Sequence, residues 1–206
     1  MNSSKESALV EGAMSIFMRY GIKSVNMDDV SKQLSVSKKT LYQFFRDKED
    51  LLSHVLDLHM SSEEKNIKEI SSRKLPAIEE MFEIMHWVLS ILNKVHPAVQ
   101  YDLEKYHPEL SKKMKHHRAE IVNNCILKNL RKGQKEGMYR KDFDPEIITR
   151  LYLLRVESFL DPDIFPFEEF KASNVYRESF QYHIRGIASE EGLVQLNKMM
   201  KKNKVA

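Results

Sequence analysis

The chain has 206 residues and a mass of 24.3 kDa, enough for a hydrophobic core that needs no disulfide or structural metal. Its single cysteine, Cys125, excludes an internal disulfide framework and a cysteine-rich zinc site. With 33 basic and 30 acidic residues the formal charge is only +3, so the distribution of charge, not its sum, must identify any polyanionic partner.

Residues 1–7 are polar and lack the apolar centre of a secretory signal. No apolar run approaches the ~18 residues of a membrane span, and the mean hydropathy is −0.49. A reduced, cytoplasmic setting is expected, with no membrane partner. Only 6 glycines and 6 prolines punctuate the chain, and no proline precedes Pro76. Scarce punctuation means long uninterrupted segments. Alternating strand patterns and Asn-Gly hairpin signals are missing, so the expected fold class is all-α.

In chain order, residues 5–20 carry Leu9, Ala13, Ile16, Phe17 and Tyr20 at helical spacing, followed by Gly21 as a C-terminal cap. Asn26 is an N-cap, with Asp28 and Asp29 facing the positive helix end. Its short helix buries Met27, Val30 and Leu34 and stops near Ser35. Ser37 caps a third helix, with Leu41, Phe44 and Phe45 inward. Asp47 starts a fourth. Residues 5–46 therefore outline a helix-turn-helix, and the predicted division is 1–47 and 48–206.

Prolines mark the later starts. Pro76 opens a segment through Leu92, Pro97 one ending near Tyr106, and Pro108 one reaching Glu136, closed by Gly137. Pro145 opens another, and a last major helix is predicted from about Phe167 to Ser189. The tail from 190 to 206, with its basic stretch Lys198 to Lys204, is expected to fray in solvent.

The charge pattern is the first functional clue. From Val30 to Arg46 there are 17 residues and no acid, with Lys32, Lys38, Lys39 and Arg46 as cations. Phosphate contacts need exposed cations without a competing carboxylate. With Leu41, Phe44 and Phe45 inward, Lys38, Lys39, Tyr42 and Gln43 face outward. Lysine reads guanine edges, glutamine pairs with adenine, and tyrosine reaches a phosphate or a thymine methyl. Lys48 sits in a first helical turn, where the dipole disfavours a cation. A bound phosphate removes that conflict; neutralisation by Asp47, Glu49 and Asp50 is the alternative.

The matching residues are Gly12-Ala13-Met14-Ser15-Ile16-Phe17, Tyr20-Gly21, Met27-Asp28-Asp29-Val30, the run from Val36 to Phe45, and Lys48-Glu49-Asp50-Leu51-Leu52. This ordered set resembles the TetR/AcrR family of one-component transcriptional regulators. The resemblance implies a three-helix DNA-binding domain and a helical ligand-binding and dimerisation domain. It implies phosphate contacts from Thr40, Tyr42 and Lys48, and groove contacts from Lys38, Lys39 and Gln43. With Ser37 at the cap, these are the candidate DNA-binding residues. Departures are Leu34-Ser35 where the family often has Ala-Gly, Asn26 for a common Thr, and Phe44 for a polar or tyrosine side chain.

By the same resemblance the helices at 145–160 and 167–188 pair across a twofold axis, with Ile148, Leu151, Tyr176, Phe180 and Ile184 as candidate interface. A dimer sets two recognition helices about one DNA turn apart, ~34 Å. The expected partners are a palindromic double-stranded operator, a second copy of the chain, and a small-molecule effector that releases a repressor. Met81, Met85, Trp87, Tyr101, Met114 and Phe143 are the candidate pocket, because methionine and aromatics suit an adaptable apolar cavity.

No catalytic motif, cofactor fingerprint or metal-ligand set is recognised. The alternative from another class is a di-iron helical bundle on Glu83, His86, Glu104 and His107, whose Glu-x-x-His spacing occurs twice. Pro97 between the two pairs, and His107 at a helix end before Pro108, argue against it.

Overall fold

The structure, a computed structural model, describes residues 2–159 and 161–203. Ten helices occur among them: α1 (Asn2–Tyr20), α2 (Met27–Gln33), α3 (Lys38–Phe44), α4 (Lys48–Ser72), α5 (Ala77–Leu92), α6 (Ala98–Tyr106), α7 (Pro108–Lys135), α8 (Pro145–Ser158), α9 (Ala172–Ile187) and α10 (Glu190–Asn203). The described residues hold no strand beyond one isolated bridge between Tyr139 and Ala188. The all-α expectation holds.

The chain divides into two compact units. The first comprises residues 1–65 and 94–117, and the second 66–93 and 118–206. The unit that holds the helix-turn-helix is thus larger than residues 1–47. Its core continues past Leu41 and Phe45 into Leu51, Leu52, Val55, Leu56 and Met60 of α4, Leu103 of α6 and Met114 of α7. An apolar stripe on three short helices needs that further cover, since a core this small is otherwise marginal.

Local chemistry sets the helix-turn-helix. The Asn26 carboxamide oxygen accepts from the Asp28 and Asp29 amides at 2.9 and 3.0 Å, and Asp29 Oδ2 accepts from Asn26 N at 2.9 Å. This reciprocal capping box fixes the start of α2 and is worth about 1 kcal/mol. The turn passes through Ser35 at φ +53°. Ser35 N donates to the Lys32 carbonyl at 3.1 Å and Val36 N to the Ser31 carbonyl at 3.0 Å, which holds that left-handed residue in place. A non-glycine residue pays about 1 kcal/mol for this conformation. Ser35→Gly is therefore expected to stabilise the protein by about 0.5–1 kcal/mol, read as a higher urea midpoint. An unchanged or lower midpoint would mean that the turn is not strained.

The second unit centres on Ile78, Met81, Phe82 and Met85 of α5, packed with Val122, Ile126 and Leu130 of α7, Tyr152 of α8, and Tyr176, Phe180 and Ile184 of α9. A buried polar network runs through it. Lys132 Nζ donates to Glu80 Oε2 at 2.8 Å, Asn129 Nδ2 to the same oxygen at 3.1 Å, and the Tyr139 hydroxyl to Asn129 Oδ1 at 2.9 Å. Every member has a partner, as burial of polar atoms demands.

Two predicted elements differ. The last major helix begins at Ala172, not near Phe167, because the Pro166 carbonyl accepts from the Glu169 and Phe170 amides and closes a turn first. The tail does not fray: residues 190–203 form α10. Ser189 Oγ accepts from Gly192 N at 3.0 Å, Leu196 is fully buried, and Leu193, Met199 and Met200 pack on the second core. Lys204 lies outside the described residues.

Candidate nucleic-acid interface

The seven predicted DNA-contacting residues fall into two groups. Lys39, Tyr42 and Gln43 are exposed on α3, with Tyr42 at 50%. Lys39 and Gln43 hold no ion pair or hydrogen bond among the described residues. Leu41 and Phe45 bury the opposite face, so the outward face follows from the helical period. Arg46, in the bend that follows α3, has its side chain 84% exposed and Nε 3.6 Å from Asp50 Oδ2. It lies just past the end of α3, after the extended C-cap Phe45, and its membership of the acid-free run is the signal that points to it.

The other four have structural partners. Ser37 Oγ accepts from Thr40 N at 3.0 Å, and the two hydroxyls lie 2.9 Å apart, so both serve the start of α3. Lys38 Nζ pairs with Asp28 Oδ2 at 2.5 Å in an exposed contact between α3 and α2. Such a pair is weak in water, and a phosphate can displace the carboxylate. Lys48 matches neither sequence-based reading. Its ammonium turns back and donates to the Ile22 carbonyl at 2.5 Å, 6.0 Å from the centre of the Phe17 ring. Burial pushes its pKa down, partly offset by Asp102, Asp29 and Glu49. The Ile22 segment is itself held by buried Asp102, whose Oδ2 accepts from the Ile22 and Lys23 amides at 3.0 and 2.8 Å. Asp47 and Asp50 cap the start of α4: Asp47 Oδ1 accepts from Asp50 N at 2.8 Å, and Asp50 Oδ2 from Arg46 N at 2.9 Å.

The six candidate pocket residues divide between the two units. Met81 and Met85 are buried in the second unit's core, with Trp87 and Phe143 packed against it. Met114 is buried in the first unit's core, and Tyr101 is 38% exposed. Helical spacing marks a residue as inward but does not say into which core.

The candidate interface set also needs correction. Tyr176, Phe180 and Ile184 are buried within the chain against α5, α7 and α8, and Ile148 packs on the same core. Leu151 alone of the five is exposed. The exposed apolar stripe on α8 is Ile147, Leu151 and Leu154, at 58, 55 and 60%. On α9 the exposed apolar residue is Tyr182 at 81%.

The di-iron alternative finds no support. Glu83 pairs with Arg73 at 2.9 Å, Glu104 with Lys115 at 3.0 Å, and His107 with Glu49, while His86 is exposed on α5. Glu83 and His86 belong to the second unit, and Glu104 and His107 to the first.

The described residues thus combine a helix-turn-helix that has an exposed, acid-free face on α3 with a second, all-helical unit. Residues 9–55 match the family described as bacterial regulatory proteins, tetR family. Over these residues the chain is similar to that family. It is 27% identical over 89 residues to an uncharacterised HTH-type transcriptional regulator, YhgD, of Bacillus subtilis, a match covering 43% of this chain and 47% of that protein. The chain thus spans about half the length of the curated relative it matches. Among solved structures it resembles FadR of Bacillus subtilis in complex with stearoyl-CoA, with TM-score 0.65, 18% identity, and 87% and 97% of the two chains covered. It also resembles a putative TetR-family regulator from Rhodococcus sp., with TM-score 0.67, 16% identity, and 90% and 100% covered. At such identities these structures speak for the fold.

Proposed function

We propose that this protein is a homodimeric, sequence-specific transcriptional repressor that a small molecule releases from a palindromic operator. The observation that carries the reading is the α3 face of Lys39, Tyr42 and Gln43, with Arg46 in the bend after it, all exposed and without an acid between Val30 and Arg46. Lys39 and Gln43 read base edges; Tyr42 and Arg46 hold backbone phosphates. Ser37 and Thr40 position α3, with the Thr40 hydroxyl available to a phosphate once it leaves Ser37. Lys38 exchanges Asp28 for phosphate. Lys48 acts indirectly, by fixing the start of α4 to the Ile22 carbonyl.

Two copies join through the Ile147, Leu151 and Leu154 stripe of α8. Residues at i, i+4 and i+7 form one continuous face, and an apolar face left in water favours a partner. Leu151→Glu with Leu154→Glu is expected to give a monomer by sedimentation velocity. Its far-UV spectrum should be unchanged, because neither side chain is in the core. A dimer that survives both charges would move the interface elsewhere.

The second unit, with Met81 and Met85 in its core, takes the effector. The stearoyl-CoA described with FadR supports a small organic ligand in a protein of this fold. Release requires that the ligand bind the non-operator conformation more tightly; equal affinity for both shifts nothing.

The experiment is selection of bound fragments from a random DNA library by the purified protein at fixed salt. An enriched palindrome with half-sites about one turn apart, ~34 Å, supports the dimeric regulator. Binding that is salt-sensitive but independent of sequence would overturn it.

A further inference from the structure

A polar cluster lies inside the second unit where α8 meets α9, and the network around Glu80 does not absorb it. Tyr152 and Tyr176 are both buried. The Arg155 guanidinium stands 4.5 Å over the Tyr152 ring, and Nη1 donates to the Ser179 carbonyl at 2.6 Å. Among the described residues no carboxylate pairs with Arg155, whereas Lys132 in the same unit has Glu80 and Arg131 has Glu146. The His183 ring stands edge-on to Tyr152, centroids 5.0 Å apart. Its Nε2 is shut off from solvent and has no hydrogen-bond partner.

These features are costly if nothing else binds. A largely buried cation without a counter-charge is destabilising, and so is an unpaired buried ring nitrogen. Tying α8 to α9 explains the Ser179 bond and the stacking. It explains neither the missing counter-charge nor the orphaned nitrogen.

The groups present select one chemistry. The guanidinium donates only, in a planar fork. Burial pushes both phenol pKa values up, so the hydroxyls keep their protons and can donate. Burial, then the charge of Arg155, pushes His183 down to about 3, so its ring is neutral and can carry its one proton on Nε2. The Tyr152 hydroxyl also bonds to Tyr176 and Arg155, so the donors left over are fewer than four, but the cluster carries a single positive charge and matches an acceptor that carries a single negative charge. A carboxylate fits this; a phosphate dianion leaves one charge unbalanced. The neighbours are apolar: the Phe159 ring is 5.4 Å from Tyr176, and Phe180 and Ile184 lie on the same helix.

We propose that Arg155, Tyr152, Tyr176 and His183 hold the carboxylate of an organic monoacid whose apolar body lies among the neighbouring aromatic and aliphatic side chains. This rests on the reading of the second unit as the effector domain and names the chemical class of its ligand. Arg155 is the anchor, through a bidentate pair that lysine cannot reproduce.

The test uses the full chain at pH 7 with four probes: octanoate and benzoate, and their uncharged amides. Calorimetric titration is expected to show at least one acid binding tenfold or more tightly than its amide. Arg155→Met should erase that preference. Arg155→Lys, which keeps the charge should the methionine variant fail to fold, should weaken the acid at least tenfold. Equal affinity for acid and amide, no binding of either acid, or an acid preference that survives loss of the guanidinium would overturn the assignment. Operator affinity is measured in parallel. Acid binding that leaves operator affinity unchanged supports the carboxylate site and overturns the release mechanism, so the two failures are distinguishable.

Discussion

Lys39→Ala is expected to lower affinity for the selected operator by tenfold to a hundredfold and to leave affinity for random DNA nearly unchanged. Lys39 is exposed at the second position of α3 and has no partner to release among the described residues. Its whole interaction energy is therefore available to a base edge, about 1–3 kcal/mol for a good contact. Tyr42→Phe should behave differently. The hydroxyl of this half-exposed ring offers one hydrogen bond to a phosphate, so its loss should weaken specific and random DNA alike. Fluorescence anisotropy on both DNAs at two salt concentrations separates the cases. Equal losses for Lys39→Ala on the two DNAs would reassign Lys39 to the phosphate backbone.

The second large effect is a loss of stability in acid that traces to His183. An unfolded histidine takes up its proton near pH 6.5, whereas folded His183 does so only near 3. Between these values the unfolded chain holds more protons, so the native state loses ground as pH falls. One such group contributes up to about 1.4 kcal/mol per pH unit. Urea midpoints followed from pH 6.5 downward should therefore fall faster for the wild-type protein than for His183→Gln. Other titrating groups act in both proteins and cancel in the difference. Parallel slopes would show that His183 is protonated in the native state and that its surroundings are wetter than its buried Nε2 implies.

Some of the site was legible because local rules decide it. The caps at Asn26 and Ser37 lie three residues or fewer from the amides they satisfy. The outward face of α3 follows from Leu41 and Phe45 and a period of 3.6. Lys48 was not legible, because its partner, the Ile22 carbonyl, is 26 residues away and is held by Asp102 on a helix still further along the chain. The tail misled for another reason. Lys198, Lys201 and Lys202 flank Met199 and Met200, and glutamates and amides flank Leu193 and Leu196, so polar neighbours mask the apolar stripe that docks α10.

The sequence by itself determined the helical class, the helix-turn-helix and the residues that α3 presents to solvent. These depend on side-chain period, capping and charge over short spans, where the chain has few alternatives. Only the tertiary structure decided which apolar face is spent on the core and which is left over. Tyr176, Phe180 and Ile184 turn inward while Ile147, Leu151 and Leu154 of α8 remain outside, and a stripe at helical spacing reads the same in both roles. It also brought Arg155, Tyr152, Tyr176 and His183 together without a paired carboxylate among the described residues. That juxtaposition comes from α8 packing on α9, and no spacing along the chain encodes it.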